Sequence, residues 1–272
     1  MEAVQEYETN VPEFRAIGHT NKDFFMISAG TPALLYKTGD KGKLDLVYRE
    51  EGEGVFYDAM NFWNNQEGIV IGDSSEACFS ILITRDGGNN WKKLSCDVLP
   101  EPILREGAFA ASNTNIKIIG DKTWVATTKR ILYSPDKGNT WEAFETPILD
   151  KSDTEGIYAI DFYDELLGVA VGGDYTNPEL NFGNKAITID GGKTWKLIAE
   201  GEEPPYKSCV QFVPGREGNE IVAVGISGIS YSKDKGVTWS QLSNEAYHTI
   251  RFLNDSTAYA GGKNRISKLR FK

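Results

Sequence analysis

The chain has 272 residues, with 29 basic and 39 acidic side chains for a net charge of −10, 11% aromatic residues and 28 glycines. That acidity excludes a surface built to attract nucleic acid or anionic membrane, and the turn-rich, aromatic composition excludes a disordered chain. No apolar run reaches the roughly 18–20 residues of a membrane span, and the acidic start from Met1 to Glu6 lacks the basic and apolar regions of a secretory signal.

The predicted elements are strands throughout, grouped in units near residues 13–49, 55–97, 105–146, 156–199, 206–243 and 247–271. The first unit ends on a worn repeat that keeps Thr38, Asp40 and Gly42 but has Asp45 where a Trp would stand. In the second, alternating Tyr57–Phe62 and a Gly-terminated run, Gly68–Gly72, lead to the octapeptide Thr84–Trp91. The third carries the octapeptide Ser134–Trp141. The fourth has Ile157–Phe162, Gly168–Gly172 and the octapeptide Thr188–Trp195, with a strand following its Trp to Ile198. The fifth repeats the plan with Ser208–Phe212, Ile221–Gly225 and Ser232–Trp239. The sixth has three strands and no octapeptide. Period-two alternation and β-branched enrichment support strands in each case.

The four full octapeptides share the pattern Ser/Thr-x-Asp-x-Gly-x-Thr/Asn-Trp, and their tryptophans recur at intervals of 50, 54 and 44 residues. That period suits one four-stranded blade per repeat. The expected fold is therefore all-β: one β-propeller domain over residues 1–272, with six blades and, as the alternative, a seven-bladed relative lacking one. The orphan stretch Glu2–Glu8 is expected to supply the sixth blade's fourth strand and close the ring between the termini. Each octapeptide residue has a mechanical task. The Asp carboxylate accepts backbone N–H groups of its own turn, the Gly takes positive φ, the hydroxyls close the loop and the Trp packs between sheets. These aspartates are read as folding devices rather than metal ligands or catalysts.

Cys78, Cys96 and Cys209 are odd in number and form no CxxC pair, so zinc and redox motifs are absent. Cys78 and Cys96 could face each other across one hairpin, but buried free thiols are the expectation.

The octapeptide resembles the Asp-box (BNR) repeat named for bacterial neuraminidases and found also in sortilin-type receptors, some glycoside hydrolases and photosystem assembly-factor propellers. Over nearly its whole length the chain is similar to exported bacterial propellers related to the assembly-factor type and often labelled "oxidoreductase". The resemblance is carried by Asp58–Trp63, Gly68–Asp73, Ala108–Asn115, Val171–Tyr175 and Ala260–Arg265. It implies export to the periplasm or cell exterior. The oxidoreductase label finds no GxGxxG motif or other nicotinamide or flavin site, so no cofactor is expected.

Propeller ligands sit at the mouth of the central channel, ringed by the loops into each innermost strand and those joining second and third strands. Here those loops carry Glu13 and Arg15; Asp58, Asp73 and Glu76; Arg105 and Glu106; Asp174, Tyr175, Asn181 and Asn184; Lys207 and Ser208; His248 and Arg251; and Lys263, Asn264 and Arg265. The longest, Gly172 to Lys185, is a candidate lid or recognition flap. The favoured reading is a non-catalytic binding or assembly scaffold, holding a protein segment or small polar ligand with Arg15, Arg105, Lys207, Arg251, Arg265 and Asn184. The alternative is a glycoside hydrolase of the neuraminidase kind. It would place Arg15, Arg105 and Arg251 around a substrate carboxylate, with Asp58 or Asp73 as acid and Tyr175 or Tyr247 as nucleophile. A different hydrolase would use two rim carboxylates such as Asp73 and Asp174, and Glu106 and His248 complete the catalytic candidates. Against the neuraminidase reading, Phe14-Arg15-Ala16-Ile17 lacks the proline of the neuraminidase Arg-Ile-Pro motif. The expected partner is a protein or glycan, the expected state a monomer, and no metal site is expected.

Overall fold

The computed structural model describes residues 6–8, 11–39, 43–75 and 78–271. Three expectations fall outside that set in whole or part: the closing strand Glu2–Glu8, of which only residues 6–8 are described, Asp40 and Gly42 of the worn repeat, and Glu76. The chain forms two compact units, Met1–Glu106 and Gly107–Lys272.

The first unit holds two four-stranded antiparallel meanders, β1 (Phe14–His19), β2 (Phe24–Ser28), β3 (Ala33–Thr38) and β4 (Leu44–Glu50), then β5 (Tyr57–Phe62), β6 (Gly68–Ser75), β7 (Cys78–Thr84) and β8 (Lys92–Lys93). The second holds four meanders. These are β9 (Ile116–Ile119), β10 (Lys122–Ala126), β11 (Arg130–Ser134) and β12 (Glu142–Glu145); β13 (Glu155–Phe162), β14 (Gly168–Asp174), β15 (Lys185–Thr188) and β16 (Lys196–Leu197). After them come β17 (Cys209–Phe212), β18 (Ile221–Gly225), β19 (Gly228–Ser232) and β20 (Ser240–Ser243), and last the three-stranded β21 (Thr249–Phe252), β22 (Thr257–Gly262) and β23 (Arg265–Arg270). The fold class is thus all-β, a six-bladed β-propeller of mostly four-stranded antiparallel sheets, with no α-helix among the described residues.

Within each blade the burial follows the sequence. β7 and β18 are buried at every position, whereas β20 is exposed at its first three. Apolar runs covered on both faces need no alternation, and the outermost strand meets water. The apolar cores lie between consecutive blades. In the first unit Phe25, Leu35, Tyr57, Met60, Val70 and Trp91 form one; in the second, Trp124, Ile131, Ile160 and Phe162 form another, with Trp124 stacked 4.2 Å from Phe162. Polar stitches join the last three blades. Asp161 accepts the N–H of Phe212 (2.7 Å), and Gln211 accepts that of Phe252 (3.0 Å), so the residue before each Phe holds the next innermost strand in register.

The Gly that ends the second strand of a blade has a steric cause. Innermost strands β5 and β13 carry a bulge between Tyr57 and Ala59 and between Ile157 and Ala159, opposite Gly72 and Gly172. A Cβ at Gly72 would collide with the carbonyl of Phe56, and one at Gly172 with that of Gly156.

The four octapeptides fold alike. The first hydroxyl donates to the Asp (Thr84 to Asp86 3.0 Å, Ser134 to Asp136 2.9 Å, Thr188 to Asp190 2.8 Å, Ser232 to Asp234 2.8 Å). It also accepts the N–H of the fifth residue, Gly88, Gly138, Gly192 or Gly236. The Asp accepts the seventh residue's N–H at 2.8–2.9 Å and its side chain through the other oxygen. Slight burial pushes these carboxyls up, but the hydrogen bonds outweigh it and hold all four below the usual carboxylate range. The indoles of Trp141, Trp195 and Trp239 donate to the Gly carbonyl of their own turn.

The expectation of free thiols at Cys78 and Cys96 is corrected. The two form a disulfide with a Cα–Cα distance of 5.6 Å, bridging the start of β7 to the 3₁₀ turn Cys96–Val98. Hairpin geometry across the octapeptide returns the chain to its starting point, which spacing alone did not reveal. Cys209 remains a buried free thiol.

Candidate functional site

In the first unit the bulge on β5 turns Asp58 inward. Its side chain is wholly buried, and neither carboxyl oxygen has a hydrogen-bond partner among the described residues. Burial, and secondarily the charge of Asp73, push this carboxyl well above the usual range, with Arg15 opposing them. Enclosure of this kind favours the protonated form of the Asp58 carboxyl. Asp73 follows Gly72 and donates its N–H to Phe56 (2.9 Å). Arg15, half-exposed, is ion-paired with Glu13. Arg105 stands in left-handed backbone at φ 61°, and buried Glu106 is bound into its own loop, accepting the N–H of Ile103 on its side chain and that of Ser74 on its carbonyl.

In the second unit, the segment between β14 and β15 and the lead-in to β17 form one stitched structure. Gly172 donates its N–H to Asn184 (2.9 Å), Tyr206 to Pro178 (3.2 Å) and Lys207 to Gly172 (3.2 Å). Asn184 donates to the Pro204 carbonyl (3.2 Å). Lys185 is fully buried, and its ammonium donates to Asn184 Oδ1 (2.8 Å) and the carbonyls of Pro204 (2.9 Å), Glu202 (3.1 Å) and Asn181 (3.3 Å). Lys207, equally buried, donates to Ser227 (3.0 Å) and the Gly228 carbonyl (3.1 Å). Burial lowers both lysines to about 8 against the pull of neighbouring glutamates.

The other second-unit candidates divide by what they touch. Asp174 closes its own turn, accepting the N–H and hydroxyl of Thr176, and those bonds outweigh burial to hold it low. Arg251 donates to the carbonyls of Ser112 (2.9 Å), Asn113 (3.2 Å) and Ile250 (2.8 Å) and to Thr249 (2.6 Å). Its guanidinium therefore ties β21 to the segment ahead of β9, instead of presenting a fork to a substrate carboxylate. Arg265 lies over the Tyr247 ring at 4.3 Å, donating to Glu245 and to the Ala246 carbonyl. Tyr247 itself is buried, its hydroxyl donating to Glu245 and hydrogen-bonded also to the Ser267 hydroxyl. His248 is exposed, and its backbone holds β17 and β22 by accepting from Ser208 and donating to Gly261.

Sequence reading missed two features here. One is the pair of inward ammoniums, since Lys185 reads as the end of a loop. The other is an apolar display on the flap: Tyr175 is 50% exposed, Leu180 45% and Phe182 61%. Beneath it Tyr158 is stacked on Phe109 at 3.7 Å and meets Tyr206 edge-on at 4.8 Å. The signal available was apolar residues inside a Gly-, Asn- and Pro-rich loop, where no strand or core requires them. Among the described residues no group of three or more His, Cys, Asp or Glu could hold a metal ion, and no helix is long and apolar enough to cross a membrane.

No family model and no curated protein matches the chain. Solved structures do. A structure of YCF48 bound to D1 peptide is similar with a TM-score of 0.65 at 13% identity, covering 99% of this chain and 82% of that one. A GH74 enzyme of Niastella koreensis is similar at 0.58 and 14% identity over 96% of this chain, and an ancestral GH74 enzyme at 0.65 and 11% identity over 100%. This chain spans 38% of the length of each GH74 enzyme. At these identities the likeness is one of fold.

Proposed function

We propose that this chain is a non-catalytic scaffold that holds a protein segment against the β14–β15 flap. The carrying observation is the contrast on one loop: Tyr175, Leu180 and Phe182 face water, while the adjacent polar groups Asp174, Asn184, Lys185 and Lys207 are committed to internal hydrogen bonds. Groups so engaged position a backbone, whereas exposed aromatic and aliphatic side chains are what a partner buries. The peptide seen with the similarly folded YCF48 supports the same reading. The Cys78–Cys96 bridge supports a place in an oxidising compartment outside the cytosol, and the octapeptide turns support their reading as Asp-boxes.

The test is selection of binders from a random peptide library on the immobilised protein, followed by affinity measurement against Phe182→Ala and Tyr175→Ala. Loss of about tenfold or more in affinity is expected for anchors of this kind. Binders indifferent to both changes would move the site elsewhere. One observation favours the hydrolase reading, the buried Asp58 carboxyl pushed well above the usual carboxylate range by burial and by the charge of Asp73. Glycosidase activity abolished by Asp58→Asn would establish that reading in place of the scaffold.

A further inference from the structure

The flap has a charge as well as an apolar face. Glu179, Glu200, Glu202 and Glu203 are exposed around Tyr175, Leu180 and Phe182, and Asp174 is held ionised at its base. Of the cations between residues 172 and 207, Lys193 and Lys196 belong to the octapeptide turn and the strand after it, while Lys185 and Lys207 are buried with their ammoniums turned inward onto Asn184, Pro204, Ser227 and Gly228. Carboxylates of Glu200, Glu202 and Glu203 act on Lys185, and those of Glu203 and Glu179 on Lys207; the Lys185 ammonium donates to the Glu202 carbonyl, and Glu200 accepts the N–H of Gly183 next to Phe182. The solvent-facing surface is thus negative although positive charge lies beneath it. The Phe182 ring rests against the Gly201 backbone, 3.0 Å from where a Cβ would be, and most of it faces solvent.

We infer that the segment held by the flap is a cationic peptide, in which Lys or Arg side chains flank a bulky apolar residue that packs on Phe182 and Leu180. This rests on the scaffold reading and specifies its ligand. Long cationic side chains fit both parts of the surface: their stems cover apolar area, their charges meet exposed carboxylates, and a guanidinium or ammonium gains further over the open faces of Tyr175 and Phe182. A polyanion meets repulsion here. So does a second copy of this chain, with its charge of −10.

The experiment is fluorescence anisotropy with three synthetic peptides that share a central Trp-Leu pair flanked by Lys and Arg, by Ser and Gly, or by Asp and Glu. The cationic peptide is expected to bind at least about tenfold more tightly than the neutral one, with the advantage shrinking as salt rises. Glu202→Gln with Glu203→Gln is expected to remove most of that advantage without changing the neutral peptide's affinity. Both side chains are exposed, so the fold is unaffected. Phe182→Ala is expected to weaken both. If the neutral or acidic peptide binds as well as the cationic one, the charge assignment is overturned while the scaffold reading stands. If no peptide binds and library selection yields none, both fail together.

Discussion

Reducing the Cys78–Cys96 bridge tests the reasoning at the point where the structure departed most sharply from spacing. The disulfide joins residues 18 apart and encloses β7, the octapeptide Thr84–Trp91 and β8. On the chain-entropy account, closing a loop of that length removes about 3 kcal/mol of freedom from the unfolded state. The native side supports the full value, because Phe79, Ile81, Leu82 and Ile83 are buried and the turn is fixed by Asp86. The assay is equilibrium denaturation of the same protein oxidised and reduced, read by tryptophan fluorescence, with Cys78→Ala plus Cys96→Ala as an alkylation-free check. The reduced protein should unfold at lower denaturant, corresponding to about 3 kcal/mol, with the difference localised by hydrogen exchange to β7 and β8. Cys209, buried and unbridged, should contribute nothing to the redox dependence. Coincident oxidised and reduced transitions would refute the argument. They would mean either that the loop is equally restricted when unfolded or that the second blade is not part of the cooperative unit.

Asp58 should make stability fall as pH rises. Its folded carboxyl is held well above the unfolded value by burial, so its contribution is complete below about pH 4 and is lost as pH climbs through the folded value. Wild type should therefore lose stability relative to Asp58→Asn as pH climbs from about 4 through the folded value, and parallel curves would contradict the buried-acid assignment. Lys185 should act in the opposite window. With its folded value lowered to about 8, wild type should gain stability relative to Lys185→Met as pH rises from about 8 towards the unfolded lysine value, and a flat difference by thermal scanning would count against an inward ammonium. Asp190→Ala removes the acceptor for Thr188, the Thr194 N–H and the Thr194 hydroxyl, and should cost about 1–2 kcal/mol at pH 7. Because that carboxyl is held low, the deficit should fade as pH falls through its folded value. A deficit unchanged at pH 2 would show that the hydrogen bonds are not the cause.

Sequence by itself determined whatever depends on neighbours in the chain. The octapeptide turns are closed by hydroxyl and carboxylate groups within four residues of the N–H groups they serve, so pattern and geometry coincide at Asp86, Asp136, Asp190 and Asp234. Strand alternation, the Gly at the end of each second strand and the repeat length carried the blades for the same reason. Tertiary structure decided what depends on distant approach. Thr249 and Arg251 find their acceptors 137 to 139 residues earlier, at Ser112 and Asn113. The fate of Lys185 turns on the chain returning at Glu202 and Pro204. The enclosure of Asp58, which pushes its carboxyl upward, follows from a bulge that turns a polar-looking residue away from water. A charged side chain reads identically in sequence whether it faces solvent or is enclosed. Its chemistry follows from the dielectric and the hydrogen-bond partners that enclosure supplies, and those exist only once remote strands have packed.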